Sequence, residues 1–290
     1  MPSARPSILL FLSLCLLCSS VSAQEKRQIA ITIDDGPAVK AAGLEDWLGV
    51  AEGLRESFEQ AKAPVIMFIN EHQLDVFGQR EERHAFLEKW LDAGFELGNH
   101  TYSHKKLRDT PIEEYFDDIV RGEKVTRPLL EERGEELVWY RYPYLSSGRG
   151  ELATRVEKFL AAKKYRIAPV TVDYHDYSFT NNYSRFLRAG NQKEADRVYE
   201  EMTRALDVAF DRAEKNSEQF FGRQIKHVLL IHCNELNAKT LPITLKRIRD
   251  RGYEFITLEE AMKDPAYATP GLPPGSLGGS FFGGMARIPK

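Results

Sequence analysis

Short apolar runs recur along the chain, separated by longer amphipathic stretches. Residues 28–33, 65–69, 95–98, 137–140, 165–172, 227–231 and 253–256 are each brief and nearly unbroken by polar side chains. Strands buried on both faces carry this pattern, whereas strands with one wet face alternate. Between the runs, 149–164, 192–215 and 238–250 read as amphipathic helices. Thr110-Pro111-Ile112-Glu113 reads as a capping box with Pro at the first helical position, opening a helix past Phe116 and Ile119; Thr257-Leu258-Glu259-Glu260 reads as another. Strand–helix alternation of this kind predicts a parallel α/β fold, open or closed into a barrel. Residues 178–183 are expected to form a loop over the strand ends. The Gly- and Pro-rich stretch 271–284 is expected to be irregular, docked by Phe281, Phe282 and Ile288.

Composition narrows the class. The 290 residues are 42% apolar and 29% charged with a formal charge of −3, which is ordinary for a globular protein and leaves no basic excess for a nucleic-acid partner. The outstanding apolar run, 8–18, is too short to span a bilayer. It lies between Arg5 and the small residues Val21-Ser22-Ala23, the three parts of a secretory signal cleaved after Ala23. The expected organisation is a signal peptide over 1–23, one catalytic domain over 24–265 and a tail over 266–290. The protein is then secreted or periplasmic, with no stable membrane insertion after cleavage. Cys15 and Cys18 leave with the signal and Cys233 stands alone, so neither an internal disulfide nor a cysteine zinc site is expected.

Residues suited to chemistry fall at strand ends. Asp34-Asp35 follow the first run, His100 and His104 the third, Arg141 the fourth, Asp173 and Asp176 the fifth, and His232 the sixth. In parallel α/β folds this is the functional face. Each cluster alone has an ordinary reading: a solvated turn at 34–37, surface or core histidines at 100 and 104, a rigid turn at Arg141-Tyr142-Pro143-Tyr144, a satisfied core histidine at 232. His175 reads as a surface residue and Cys233 as a small buried one. Together they offer more. Two His four apart share one side of a helical turn, and a carboxylate completes a His-His-Asp set with positions left open for water and substrate. Adjacent aspartates diverge, so one can bind metal while the other acts as a base. Zinc suits two imidazoles and a carboxylate, with cobalt or nickel as substitutes.

In this order the pieces resemble the polysaccharide deacetylases of carbohydrate esterase family 4, the NodB-homology group. The five motifs are Thr32-Ile33-Asp34-Asp35-Gly36-Pro37, His100-x-x-x-His104, Arg141-Tyr142-Pro143-Tyr144, Asp173-x-x-Asp176-Tyr177 and Leu230-Ile231-His232. The resemblance spans residues 28–260 and implies a distorted (β/α)7 barrel. It implies that Asp35, His100 and His104 hold a divalent metal, most simply Zn2+, and that Asp34 is the general base, oriented by Arg141. It further implies that His232 is the general acid tuned by Asp176, and that the backbone N–H of Tyr144 stabilises the oxyanion. Leu230 would line the acetyl pocket, with Tyr142 and Tyr177 on the sugar groove. The implied reaction is N-deacetylation of an acetylated amino-sugar glycan. The rival readings are an O-acetyl esterase on xylan-like glycans and a catalytically inactive glycan-binding homologue. Ile33, Tyr177, the Leu145-Ser146-Ser147 run and the long crossover before His232 depart from the family's usual pattern.

Overall fold

The computed structural model describes residues 27–39 and 41–288; the expected signal peptide lies outside the described residues. Among the described residues, eight strands build one parallel sheet: β1 Arg27–Gly36, β2 Val65–Ile69, β3 Glu96–Asn99, β4 Trp139–Tyr140, β5 Arg166–Ile167, β6 Val172–Asp173, β7 His227–His232 and β8 Tyr253–Ile256. Their order is β5-β4-β3-β2-β1-β7-β6, and β8 pairs the first half of β1. Ile29, Ile31 and Ile33 of β1 and all of β2 are buried, so both faces of the central strands demand apolar side chains.

The helices are α1 Leu44–Ala61, α2 Arg80–Asp92, α3 Ile112–Arg121, α4 Thr126–Glu132, α5 Gly150–Ala162, α6 Tyr177–Arg188, α7 Gln192–Phe221, α8 Glu235–Asp250, α9 Leu258–Ala261 and α10 Phe281–Met285. In α1, Trp47, Val50, Ala51, Leu54 and Phe58 share one face and are buried, and Glu45 and Asp46 sit in the first turn, where the helix dipole favours them. The long α7 starts at Asn191, whose side chain accepts from the Glu194 N–H, and stops at Gly222 in the left-handed region.

The sheet curls until its two ends meet. β5 and β6 lie at opposite ends of the strand order, yet residues 168–171 alone join them. Five Cα-to-Cα steps reach at most about 18 Å. The result is the distorted α/β barrel implied by the resemblance, with a narrow seam between its end strands.

Three local expectations are corrected. The run 165–172 is two strands rather than one, because Pro169 lacks an N–H for the ladder and Ala168 and Pro169 give their carbonyls to Arg141. Residues 178–183 are not a loop but the first half of α6, with Thr180, Tyr183 and Ser184 turned inward. The box at Thr110 does not close: Pro111 is the N-cap, and the Thr110 hydroxyl donates to the Lys106 carbonyl. Thr257 does cap, accepting from the Glu260 N–H. The tail is irregular over 271–280 but ends in α10, with Phe281 and Phe282 buried.

Candidate active site

A cleft of about 730 Å³ opens at the C-terminal strand ends, lined by Asp34, Asp35, His100, His104, Leu230 and His232 among others. A bulge in β1 separates the two aspartates. Pairing with β2 shifts register between Ile33 and Gly36, and Asp35 adopts φ +62°. Asp34 stays in the ladder directly beside His232, while Asp35 turns to the histidines after β3. Gly36 follows because a Cβ there would collide with the side chains of Met67 and Ile69.

His100 and His104 do not share a helical turn. They lie on an irregular loop in which Thr101 and His104 are left-handed. Asn99 sets this loop: its buried amide donates to the Ile119 carbonyl and the Tyr165 hydroxyl and accepts from the Thr101 N–H. Asp118 accepts from both the N–H and the hydroxyl of Ser103. His104 Nε2 thereby comes within 3.1 Å of Asp35 Oδ1, and His100 Nε2 within 3.6 Å. Three donors from Asp35, His100 and His104 lie within 4.8 Å of one another.

The chemistry of this set fits a divalent metal. His100 Nδ1 is 2.8 Å from the Arg141 carbonyl. A carbonyl only accepts, so Nδ1 carries the proton and Nε2 presents its lone pair to the site. Burial holds both imidazoles below the usual histidine pKa, in the neutral form a metal requires. Asp35 Oδ1 is buried and has no hydrogen bond despite its closeness to His104. A buried carboxylate oxygen close to two neutral imidazoles lacks a positive partner, and a cation supplies one.

On one side of the donor set, Asp34 accepts from Arg141 Nη1 at 3.0 Å and 3.3 Å. Arg141 is wholly buried and also donates to the carbonyls of Ala168 and Pro169 and the hydroxyl of Thr32. Burial raises the Asp34 pKa, Arg141 and His232 oppose it, and the balance is about 6. At neutral pH Asp34 is therefore ionised yet basic enough to take a proton.

On the neighbouring strand β7, paired with Asp34, His232 Nδ1 donates to Asp176 Oδ1 at 2.7 Å and its backbone N–H to Oδ2 at 2.9 Å. The side-chain amides of Asn234 and Asn237 donate to the same Oδ2. Burial disfavours the charged imidazole, but Asp176 outweighs it, helped by Asp35 and Asp34, and lifts His232 to about 10. Burial likewise pushes Asp176 up, and His232 and Asn237 more than reverse it. Neither asparagine was singled out from the sequence. Their signal was a cap: Asn234 opens α8 and accepts from the Asn237 N–H.

Of the remaining expected residues, Leu230 and Tyr177 line the cleft, with the Tyr177 ring 5.2 Å from that of His232. Tyr144 is 62% exposed and left-handed, and its ring lies 4.4 Å from His104. Tyr142 is a correction. Expected on the groove wall, it is fully buried, edge-on to Tyr140 and covered by Gly278, so it packs rather than touches ligand. His175 is exposed beside Asp173, and Cys233 is buried. The far wall, missed in the sequence, comes from α7 (Ala209, Arg212, Asn216) and from the tail (Gly279, Ser280, Phe282).

The family model described as polysaccharide deacetylase matches residues 22–168. A peptidoglycan-N-acetylglucosamine deacetylase of Bacillus cereus is 24% identical over 164 residues, covering 54% of this chain and 51% of that protein. This chain thus spans about half the length of that curated relative. Among solved structures, peptidoglycan deacetylase PdaC of Bacillus subtilis aligns with TM-score 0.52 at 21% identity, over 82% of this chain and 93% of that one. A family 4 pseudoenzyme of Bacillus anthracis aligns with TM-score 0.52 at 15% identity, over 82% and 66%. Both share the fold.

Proposed function

The chain belongs to the polysaccharide deacetylase family, and on that premise we propose that it removes N-acetyl groups from an acetylated amino-sugar glycan outside the cytoplasm. One observation carries the reading: a base, a metal-donor set and a protonated imidazole line a single cleft. Asp35, His100 and His104 would hold a divalent ion, zinc by donor type, which when bound polarises an acetamide carbonyl and acidifies water. Asp34, fixed by Arg141, takes the proton from water as its oxygen bonds to the acetyl carbon. The Tyr144 N–H stabilises the charge on the carbonyl oxygen, and Leu230 receives the methyl group. His232, charged at neutral pH and held by Asp176, gives its proton to nitrogen as the C–N bond breaks. Acetate and a free amine leave. N-acetylglucosamine is the favoured substrate unit because the Bacillus cereus relative is named for it. Export rests on the pattern of residues 1–23.

The deciding experiment is acetate release by metal-loaded protein from N-acetylglucosamine oligomers, peptidoglycan fragments and acetylated xylan. Release from the amides supports the proposal. Release from xylan alone makes the protein an O-acetyl esterase. Glycan binding without any release makes it an inactive homologue.

A further inference from the structure

The C-terminal segment lies outside the matched family region, yet it reaches the catalytic turn. Residues 142–147 carry two successive left-handed non-glycine residues, Tyr144 at φ +58° and Leu145 at φ +48°. Such a conformation persists when its surroundings over-determine it. Part of the restraint is local: the Leu145 N–H donates to the Tyr142 carbonyl and the Ser146 N–H to that of Pro143. The rest is the tail. Gly278 lies so close against the Tyr142 ring that a Cβ would collide with Cδ2 and Cε2, and it would come within 3.0 Å of Ser147 Cβ. The Ser147 hydroxyl donates to the Gly275 carbonyl at 2.6 Å, and the Gly275 N–H donates to Glu157 on α5 at 2.6 Å. A Cβ on Gly279 would sit 3.0 Å from Ser147 Oγ and 3.4 Å from the Leu145 carbonyl.

The tail is itself anchored. Ser280 bridges to Val170 in the seam, Phe281 is fully buried 5.0 Å from Tyr267, and Phe282 packs near His227. It therefore transmits the position of the barrel body to the turn that follows Arg141.

We propose that residues 275–282 are a positioning element of the active site, in which Gly278 and the Ser147–Gly275 hydrogen bond hold the Tyr142–Leu145 turn, and with it the Tyr144 N–H, in its working geometry. Its effect on rate rests on the deacetylase reading; its effect on the turn does not. Gly278 is a positioning residue, acting through Tyr142.

Gly278→Ala and the milder Ser147→Ala test it in the full chain. Hydrogen–deuterium exchange of the 139–149 region should rise in both variants, while exchange in β1, β2 and β7 and the metal content stay as in the wild type. In acetate release, kcat should fall at least tenfold in Gly278→Ala and severalfold in Ser147→Ala, with KM changed less than twofold. Tyr142→Leu, which frees space for the new methyl group, should partly restore kcat to Gly278→Ala. If Gly278→Ala does not fold, the exchange and kcat of Ser147→Ala decide. Unchanged exchange at 139–149 overturns the proposal even if the wild type proves inactive. Raised exchange with kcat intact in an active enzyme overturns the catalytic role. A wild type inactive on every acetylated glycan overturns the deacetylase reading instead.

Discussion

Two buried carboxylates, Asp34 on the cleft lining and Asp176 hydrogen-bonded to His232, titrate in opposite directions. Asp176 accepts from the ring and backbone of His232 and from Asn234 and Asn237, and it falls below the usual carboxylate range. Asp34 accepts from one guanidinium, which it shares with two carbonyls and a hydroxyl, and it rises to about 6. Burial raises both; at Asp176 the His232 charge and the hydrogen bonds of His232 and Asn237 reverse it, whereas at Asp34 the neighbouring Asp35 charge adds to burial and Arg141 and His232 only partly offset it. Asp176 is saturated and can only hold its imidazole. Asp34 keeps basicity to spare. The contrast recurs along β7. His232 beside Asp176 climbs to about 10, whereas His227 at the other end of the strand, buried against the Thr171 hydroxyl, falls to about 4.

The strongest way to break this comparison is to remove the basic lone pair and keep the shape. Asp34→Asn should lower kcat/KM by about 10³-fold, within the range of general-base effects, and should retain the metal, measured by metal analysis. Asp35→Asn should lose metal and activity together. The assignment is reversed if Asp34→Asn empties the site while Asp35→Asn still turns over.

Removing the partner of the saturated carboxylate comes next. His232→Ala should cost about 10²-fold or more on an amide substrate with metal content unchanged. Survival within about threefold, less than ~0.7 kcal/mol, would take the acid role from His232.

The His227 contrast is read in stability. Its folded pKa of about 4 lies below the ordinary 6.5, so the unfolded chain binds the extra proton between those values. The contribution is complete above pH 6.5 and is lost as pH falls toward 4. Across that window the unfolding free energy should drop by about 3 kcal/mol, and His227→Gln should flatten the slope in denaturant titrations. An identical slope in the variant would place the acid sensitivity elsewhere.

The smallest effect isolates the hydrogen-bond share of the difference between the two carboxylates. In the wild type, kcat/KM should rise as Asp34 deprotonates near or below pH 6, since a bound cation lowers that limb, and fall as His232 deprotonates near pH 10. Asn237→Ala takes one donor from Asp176, leaving a more basic carboxylate that holds the imidazolium more strongly. The alkaline limb should move up by up to about one pH unit, with activity at pH 7 changed less than about tenfold. An unmoved limb would show that the Asn237 amide does not tune the Asp176–His232 pair.

The residues proposed to react are legible because each ends an apolar run, and that order along the chain survives folding. Their supports are not. Asn99 and Asp118 act through a loop whose left-handed turns at Thr101 and His104 leave no period in the sequence. Asn237 looked like an ordinary helical residue. Tyr142 was misplaced because motif order does not say on which side of a turn a ring packs; the glycine that covers it lies far along the chain. In α6 only Thr180, Tyr183 and Ser184 are buried, a stripe too polar to read as helical.

The seam has a consequence of another kind. A sheet edge is normally a template on which foreign chains can add strands. Here both end strands, β5 and β6, are two residues long, and the Val170–Ser280 bridge occupies part of the connection between them. Little free backbone is left to nucleate intermolecular pairing. The shortness that makes room for the Arg141 guanidinium also protects this seam from edge-to-edge pairing.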